Sequence, residues 1–310
     1  MRETANRPVV VVAGRCGRLA NRLILFANLV AFVQEHGFRL INFTFHSYAH
    51  LFESTSRDIY CQYPPPDRPG YFDRVPGLAS VIRGSRIFYH LTRASGAVNE
   101  RWPLLGQRVF TYREPHGSLV SLEDPELPAR IQSARLVFLF GWTFRAPTLV
   151  QRHATVLRDY FRICPGLDGP SRQAVESLRQ SADLVIGVHV RHGDYHRWRG
   201  GKYYFTIAQY HQWMTQVGKQ FPGKTLAFLV CSDEPRHPGE FPGLKVGFAP
   251  GEPVQDLYAL ARCDYLIGPV SSFSLWPSFY GNVPLLQLRG AEATIDRAQF
   301  RVSALDEIPM

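Results

Sequence analysis

A short apolar segment in the second half of the sequence ends abruptly in a cluster of ionisable side chains. The segment Leu184–Val190 is rich in β-branched residues, contains His189, and leads directly into Arg191, His192 and Asp194. Buried strands of an open α/β sheet present sites in this way, because ligands bind in loops outside the carboxyl ends of the strands. These side chains suit phosphate binding, nucleophilic catalysis or metal ligation.

Two further polar clusters follow predicted strands in the same manner. Ser232–Glu234 comes directly after Leu229–Cys231, and Ser271–Ser274 comes shortly after Leu266–Gly268. If these strands are parallel, their carboxyl ends meet at one edge of the sheet. We therefore expect the three clusters to line one crevice.

Such a crevice is equipped to hold a diphosphate. Arg191 offers a planar, permanently charged fork that suits phosphate oxygens. Ser271, Ser272, Phe273 and Ser274 open a predicted helix, whose hydroxyls and terminal amides can bind the same anion. A plain helix N-cap is the alternative interpretation of the serines, and it is compatible with anion binding.

The acidic pair in the second cluster suggests a base-recognition role. Asp233 or Glu234 can accept hydrogen bonds from the N1–H and the exocyclic amine of guanine together. The alternative is that Asp233 belongs to an ordinary surface turn before Pro235.

The start of the chain predicts a β-α-β unit. Val9–Ala13 is a β-branched run typical of a buried strand, and a helix over Arg18–His36 should follow the turn Gly14–Gly17. Gly37 is expected just past the helix end, before a strand over Phe38–Phe43. The helix N-terminus favours anions, and it is surrounded by the polar residues Arg15, Arg18, Asn21 and Arg22.

Residues 46–128 are rich in proline and glycine, which is typical of loops. Within them, Leu78–Arg93 predicts a basic helix that either rests on a membrane, meets a polar acceptor, or is a solvated face over a small core. A strand over Leu136–Phe140 and a helix over Leu149–Phe161 are expected next.

The second half alternates regularly between short strands and amphipathic helices after a predicted linker at Pro165–Pro170. This alternation predicts a parallel sheet with helices on both faces. We expect an α/β protein of two doubly wound, Rossmann-like domains facing each other across a cleft, over residues 1–168 and 169–310. The predicted strands of the second domain are Leu184–Val190, Leu226–Cys231, Leu244–Phe248, Tyr265–Gly268 and Val283–Leu288, and its helices are Ser171–Gln180, Phe205–Phe221, Val254–Arg262 and Phe273–Tyr280.

The composition indicates a globular protein with an anionic partner. The chain has 310 residues, 45% of them hydrophobic, and a formal charge of +9. Its five cysteines are widely spaced and odd in number, which predicts reduced thiols in a cytoplasmic protein. No apolar run approaches the roughly 20 residues of a membrane span, so we expect neither a signal peptide nor a transmembrane helix, although peripheral contact at the inner membrane face stays open.

The sequence resembles the alpha-1,2-fucosyltransferase superfamily in several ordered blocks that span most of the chain. The run from His189 to Tyr195 looks like the HxRxGDY motif of these enzymes. The other matching blocks are Gly17–Leu23, Lys202–Tyr204, Leu229–Glu234, Asp256–Asp264 and Ser271–Trp276. There are departures: Ala20 replaces a glycine, position 192 is His where Arg is more usual, and Pro277 follows Trp276 where paired tryptophans are common.

This resemblance implies a GT-B fold and an inverting, metal-independent transfer of fucose, or a similar sugar, from a GDP-sugar to a glycan or glycolipid hydroxyl. It implies that Arg191 holds the donor diphosphate, with His189 beside it and Asp233 near the guanine. The acceptor is expected near Arg18, Asn21 and Arg22. Asp194 is the nearest carboxylate for a general base, although a structural role suits it equally well.

Three other interpretations remain open from the residues. Arg191-His192-Gly193 is also the nucleophile signature of histidine phosphatases, although that signature normally opens the first strand of its domain. His189, His192, Asp194 and His196 could ligate a metal if the turn brought them to one side. A basic nucleic-acid-binding module is disfavoured because the basic residues are scattered and no recognised binding motif is present.

Overall fold

A computed structural model describes residues 7–14, 17–68, 70, 74–75, 77–102, 108–115 and 118–307. The chain divides into two compact units. The first contains Met1–Cys164 together with Ala304–Asp306, and the second contains Pro165–Ser303 together with Glu307–Met310. The buried amide of Asn28 ties the late segment to the first unit, since Nδ2 donates to the Leu305 carbonyl at 3.3 Å. The predicted roles of Arg15 and Cys16 lie outside the described residues.

The first unit is built on a five-stranded sheet with the order β3-β2-β1-β6-β4. All neighbours pair in parallel except β3, which is antiparallel to β2 at the edge. The strands are β1 (Val9–Val12), β2 (Arg39–Ile41), β3 (Gln62–Tyr63), β4 (Val109–Arg113) and β6 (Leu136–Phe140), with a separate parallel pair formed by β5 (Val120–Ser121) and β7 (Phe144–Arg145). The helices are α1 (Leu19–His36), α2 (Glu53–Ser56), α3 (Leu78–Ser85), α4 (Ile87–Arg101), α5 (Glu126–Ser133), α6 (Pro147–Arg152) and α7 (Ala154–Tyr160).

The predicted β-α-β start is confirmed, and α1 is its central element. Nearly every residue from Leu19 to Val33 is buried, so this helix is core on almost all sides. Gly37 ends it in the left-handed region at φ 68°, and its amide donates to the Val33 carbonyl. A residue with a Cβ would be strained there, which is why glycine marks this helix end.

Several predicted boundaries in the first unit are wrong. The strand after α1 stops at Ile41, because the chain turns into a 3₁₀ segment over Phe43–Leu51. The predicted basic helix is two helices, because Arg86 adopts a left-handed conformation at φ 54° between α3 and α4. The helix predicted over Leu149–Phe161 is likewise broken, at His153. Strand β4 has no counterpart among the predicted strands, because it lies within the loop-like stretch.

The second unit contains a fully parallel five-stranded sheet with the order β10-β9-β8-β11-β12. Numbered within the unit, this order is 3-2-1-4-5, so the winding reverses between β8 and β11, which is where such sheets bind ligands. The strands are β8 (Leu184–Val190), β9 (Leu226–Ser232), β10 (Val246–Phe248), β11 (Tyr265–Pro269) and β12 (Leu285–Leu288), and the helices are α8 (Pro165–Arg179), α9 (Ile207–Lys219), α10 (Pro253–Leu260) and α11 (Ser272–Gly281).

The interpretation of Pro165–Pro170 as a linker is wrong, because this stretch forms the first turns of α8. Pro165 at the first position costs little, since the first amides of a helix have no partner within it, whereas Pro170 lies inside the helix. The helix is held by Val175 and Leu178, which are buried, and by Ser171, whose hydroxyl donates to the Gln255 carbonyl at 2.8 Å. These tertiary contacts outweigh the turn-forming composition.

Among the described residues, no helix is long and apolar enough to cross a bilayer. Cys61, Cys164, Cys231 and Cys263 are free thiols.

Gly281, at the end of α11, should tolerate no side chain. A Cβ there would lie 1.9 Å from the Ala261 carbonyl oxygen, so Gly281→Ala should lower the free energy of unfolding by about 2 kcal/mol or more. Gly218 in α9 is the control, because a Cβ there has no neighbour within 4 Å. Gly218→Ala should stabilise by about 0.5–1 kcal/mol. Urea unfolding of both variants measures this difference, and equal effects would contradict it.

Candidate functional site

His189 lies near the end of β8, at the reversal point of the second sheet. Its Nδ1 lies 2.8 Å from the hydroxyl of Ser274, which in turn contacts the Pro269 carbonyl at 3.2 Å. A carbonyl only accepts, so the single hydroxyl proton goes to Pro269 and the hydroxyl oxygen accepts from Nδ1–H. The Nε2 of His189 is then unprotonated, and it has no hydrogen bond to a described residue.

Burial keeps this imidazole neutral. Desolvation is the main cause, with the nearby Arg191 charge adding to it, and together they lower the pKa of His189 from 6.5 to about 3. The ring also packs against Phe273 with centroids 5.0 Å apart. His189 therefore offers a fixed hydrogen-bond acceptor in place of a positive charge at physiological pH.

Arg191, the first residue after β8, lies between two carboxylates. Its Nη1 is 2.9 Å from Oδ2 of Asp233, and its Nη2 donates to Oδ1 of Asp194. The two pairings are unequal, since 22% of the Asp233 side chain is exposed against 58% for Asp194. The guanidinium also lies over the Tyr195 ring at 5.4 Å. Asp233 therefore fixes the arginine, whereas the Asp194 contact is open to solvent.

Asp233 connects the loop after β8 to the end of β9. Its second oxygen accepts from the His192 amide at 2.9 Å. A Cβ on Gly193 would lie 2.4 Å from the Asp233 carboxylate, so this approach requires glycine. One oxygen of Asp233 thus accepts a hydrogen bond from the neighbouring loop, and the other forms an ion pair with Arg191.

His192 is a buried link within the same loop. Its Nε2 lies 2.7 Å from the Phe205 carbonyl and must donate, while Nδ1 is 3.1 Å from Nη2 of Arg236 and 3.3 Å from Oε2 of Glu234. The ring also packs against Tyr204, with centroids 4.7 Å apart. A phosphatase nucleophile needs an open ring nitrogen facing phosphate, so this geometry gives no support to the histidine-phosphatase interpretation.

The start of α11 is capped as the sequence suggested. The Ser271 hydroxyl accepts from the Phe273 amide at 3.2 Å, which makes Ser271 the N-cap. Ser272 is half-buried at the first helical position, and Ser274 is buried with its hydroxyl in contact with His189. Tyr195 joins this helix start to the β8 loop, because its hydroxyl donates to the Val270 carbonyl at 2.9 Å. The structure thus brings all three predicted clusters of the second unit together.

Arg236 is the main residue of this site that the sequence reasoning did not single out. Its guanidinium contacts Glu234, the Glu240 carboxylate at 3.2 Å, the Ser232 hydroxyl at 3.3 Å and His192. Its acidic partners are local in sequence, but the contact with His192 spans 44 positions along the chain and depends on the parallel pairing of β8 with β9.

The possible metal ligands of this region are not gathered around one point. Within the described ranges, no group of three or more His, Cys, Asp or Glu side chains is arranged to hold a metal ion. The ring nitrogens of His192 are both engaged, His189 uses Nδ1 on Ser274, and His196 directs Nδ1 to the Gly193 carbonyl at 2.6 Å.

The predicted acceptor residues belong to the first unit, and one of them has a structural role. The buried Arg22 donates to the Thr44 carbonyl at 2.8 Å and to the Ser47 hydroxyl at 2.9 Å. Asn21 is half-buried on the first turn of α1, and its side chain covers Gly17, where a Cβ would lie 2.1 Å from Nδ2. Arg18, at the N-cap of α1, is exposed. Arg22 therefore stabilises the first helix and is not available to an acceptor.

A cavity of about 900 Å³ opens beside these residues at the carboxyl edge of the first sheet. One wall contains Glu114, whose Oε2 accepts from the amides of Trp142 and Thr143 at 2.7 and 2.8 Å. The cavity is lined by Ala13, Gly14, Gly17, Tyr89, His90, Arg93, Ala97, Arg113, Glu114, Phe140, Gly141 and Trp142. Aromatic rings together with paired donors and acceptors are suited to a polar, hydroxyl-rich ligand.

Comparisons with known proteins show likeness in structure only. No family model and no curated protein matches the sequence. A mutant of Arabidopsis thaliana FUT1 solved with GDP has 15% identity and a TM-score of 0.58, covering 96% of this chain and 74% of that one. POFUT1 solved with GDP has 13% identity and a TM-score of 0.51 over 91% and 98%. NodZ alpha-1,6-fucosyltransferase from Bradyrhizobium, co-crystallised with GDP, has 16% identity and a TM-score of 0.51 over 91% and 95%.

These likenesses confirm the predicted fold class. The chain is an α/β protein of the GT-B-like type, with two Rossmann-like units, and it shares that fold with the fucosyltransferases named above. At 13–16% identity, what this chain shares with these proteins is the fold.

The buried neutral state of His189 predicts a specific pH dependence of stability. From about pH 6.5 down to about pH 3 the unfolded chain binds a proton at this residue and the folded chain does not. Stability should therefore fall as the pH falls through this window, by up to about 1.4 kcal/mol per pH unit.

Urea unfolding at several pH values between about 4 and 7 measures this slope. His189→Gln cannot titrate and should show a shallower loss of stability on acidification than the wild type. His196→Gln is the matched control, since His196 is exposed on the next turn. Identical slopes in the wild type and His189→Gln would contradict the burial of a neutral imidazole.

Proposed function

We propose that this protein is a glycosyltransferase that moves fucose, or a similar sugar, from a GDP-sugar to a hydroxyl of a glycan or glycolipid. The observation that carries the proposal is Arg191, held by Asp233 beside the N-terminus of α11 at the reversal point of a 3-2-1-4-5 sheet. Proteins of the same fold have been solved in complex with GDP or GDP-fucose. The sequence blocks further favour inversion and an alpha-1,2-type linkage.

The chemistry requires stabilisation of a leaving diphosphate. The acceptor oxygen attacks the anomeric carbon from the face opposite the diphosphate, the bond to the diphosphate oxygen breaks, and negative charge grows on GDP. Arg191 and the start of α11 at Ser271–Ser274 would neutralise that charge. Arg191 would exchange the exposed Asp194 for phosphate oxygens while Asp233 keeps its orientation.

The other residues of the site would position the donor. His189 would accept a hydrogen bond through Nε2, because its Nδ1 is held by Ser274. The guanine contact proposed for Asp233 would use the lone pairs left after its bonds to Arg191 and His192, with Glu234 as the neighbouring alternative. The role of either carboxylate in base recognition is tested by the preference for GDP over other nucleotides.

The acceptor would bind to the first unit. Gly17 lines the cavity that contains Glu114, and the Asn21 side chain packs against Gly17, so Asn21 lies beside this cavity. A base must take the proton of the attacking hydroxyl. The sequence motif makes Asp194 one candidate for this base, and Glu114, which lines the cavity, is a second candidate. We place the enzyme in the cytoplasm with peripheral membrane contact, and expect it to need no metal and to bind no nucleic acid.

Calorimetric titration with GDP, UDP and ADP, with and without EDTA, tests the donor assignment. GDP should bind best and independently of EDTA, and Arg191→Ala should weaken it by about 10- to 100-fold, as expected for a lost charge-assisted contact. Arg172→Ala, at an exposed position on α8, removes the same charge and should leave binding unchanged. Preference for UDP, or loss of binding in EDTA, would overturn the donor assignment.

The two carboxylates around Arg191 should behave oppositely. Asp233→Asn should weaken GDP binding about tenfold or more, because Arg191 loses its fixed orientation. Asp194→Asn should bind GDP at least as tightly as the wild type, because a competing anion is removed. If Asp194 is also the base, this variant should lose sugar transfer while keeping GDP affinity. Weaker GDP binding in Asp194→Asn than in Asp233→Asn would contradict the exchange of partners.

A further inference from the structure

The outer face of α4, in the first unit, carries a stripe of large apolar side chains exposed to solvent. Ile87 is 51% exposed, Leu91 56%, Val98 45% and Trp102, the residue that ends the helix, 59%. Their spacing of four, seven and four residues, with the exposed Ala94 between Leu91 and Val98, places them one above another along the helix. Single exposed apolar residues are normal, but a continuous stripe of this kind marks an interaction surface.

The opposite face of α4 is firmly packed, so the stripe is not a misplaced core. Tyr89, Thr92 and Gly96 are buried against the sheet. A Cβ on Gly96 would lie 2.7 Å from the Phe140 ring, and the Gly96 carbonyl accepts from the Thr111 hydroxyl at 2.9 Å. The helix cannot rotate its apolar stripe inward without breaking this close contact.

Positive charge borders the stripe, and negative charge is nearly absent. Arg86, Arg93 and Arg101 are exposed on or next to α4. Glu100 is the sole acidic residue between positions 78 and 102, and it pairs with Arg113 on β4 at 2.7 Å. On the helical wheel, at 100° per residue, the arginines fall on one side of the stripe. The surface therefore combines apolar side chains with exposed arginines.

We propose that the outer face of α4 is a membrane-binding surface that lies in the interface of an anionic lipid bilayer. Ile87, Leu91 and Val98 would enter the acyl boundary, and Trp102 would sit at the headgroup level. Arg86 and Arg101 would extend to the lipid phosphates, as long cationic side chains do at such interfaces. A protein partner would not require this particular combination, whereas an anionic bilayer matches both the apolar and the charged component.

The same helix connects this surface with the cavity of the first unit. Tyr89, His90, Arg93 and Ala97 line the cavity from the neighbouring face of α4. If the sugar of a glycolipid lay in the cavity, its lipid part would thus be close to the bilayer. This consequence rests on the proposed function: it specifies the acceptor as a glycan displayed on a lipid, whereas bilayer binding itself needs no transferase activity.

Co-sedimentation with vesicles tests the proposal. Full-length protein should bind vesicles containing about 30% phosphatidylglycerol, and should bind pure phosphatidylcholine at least about tenfold more weakly. Leu91→Gln/Val98→Gln and, separately, Arg86→Glu/Arg101→Glu should each lower the partition coefficient by about tenfold or more. Controls of matched chemistry are Leu119→Gln, exposed elsewhere in the first unit, and Arg172→Glu/Lys219→Glu in the second unit.

Each outcome decides the question. Loss of vesicle binding in both α4 variants, with unchanged GDP affinity by calorimetry, supports the membrane surface. Equal binding to both kinds of vesicle, or equal losses in the controls, overturns it. A change in oligomeric state of Leu91→Gln/Val98→Gln by light scattering, without a change in vesicle binding, would instead assign the stripe to contact between copies of the chain. Because GDP binding is measured separately, failure of the donor assignment leaves the vesicle result interpretable.

Discussion

The carboxylate of Asp233 is the interaction on which the candidate site depends. It forms an ion pair with Arg191 through one oxygen and accepts from the His192 amide with the other, and so joins the loop after β8 to the end of β9. This ion pair between two largely buried side chains also sets the direction of the arginine. Without it the guanidinium would follow Asp194 into solvent. Gly193 is the condition for this arrangement, since any Cβ would meet the carboxylate.

A second constraint acts across the reversal point of the sheet. Ser274 holds His189 from the start of α11, and Gly268 on β11 makes the approach feasible, because a Cβ there would lie 2.7 Å from the serine hydroxyl. The imidazole is thus neutral, oriented and desolvated beside a permanent cation. The division of roles is clear in physical terms: Arg191 carries the charge, and His189 supplies a fixed acceptor.

The first unit offers different chemistry. Its cavity is lined by the Trp142 and Tyr89 rings and by Glu114. One oxygen of the Glu114 carboxylate accepts from the Trp142 amide and lies close to the backbone of Gly141, which fixes the carboxylate in place. Helix α4 lines this cavity with one face and carries the exposed apolar stripe on another. One helix therefore has three distinct faces, packed on the sheet, lining a polar cavity and open to solvent.

The sequence by itself determined the local elements and the positions of the candidate residues. The β-branched run at Leu184–Val190, the polar residues after it and the serine N-cap at Ser271 depend on neighbouring residues, so pattern reasoning found them. The two-unit α/β class followed from the alternation of strands and helices. Local composition failed where tertiary contacts compete with it, as at Pro165–Pro170, which is helical as the start of a helix held by the buried Val175 and Leu178.

Only the tertiary structure decided which partner each side chain takes. His192 looked like a nucleophile, but packing turns it toward Phe205 and Arg236. Arg22 looked available to an acceptor, but it is used by Thr44 and Ser47. Arg236 and Glu114 were not recognised, because the contact of Arg236 with His192 and those of Glu114 with Trp142 and Thr143 join distant parts of the chain. Hydrogen bonds are satisfied by whatever groups folding brings within about 3 Å, and that proximity is not encoded in spacing along the sequence.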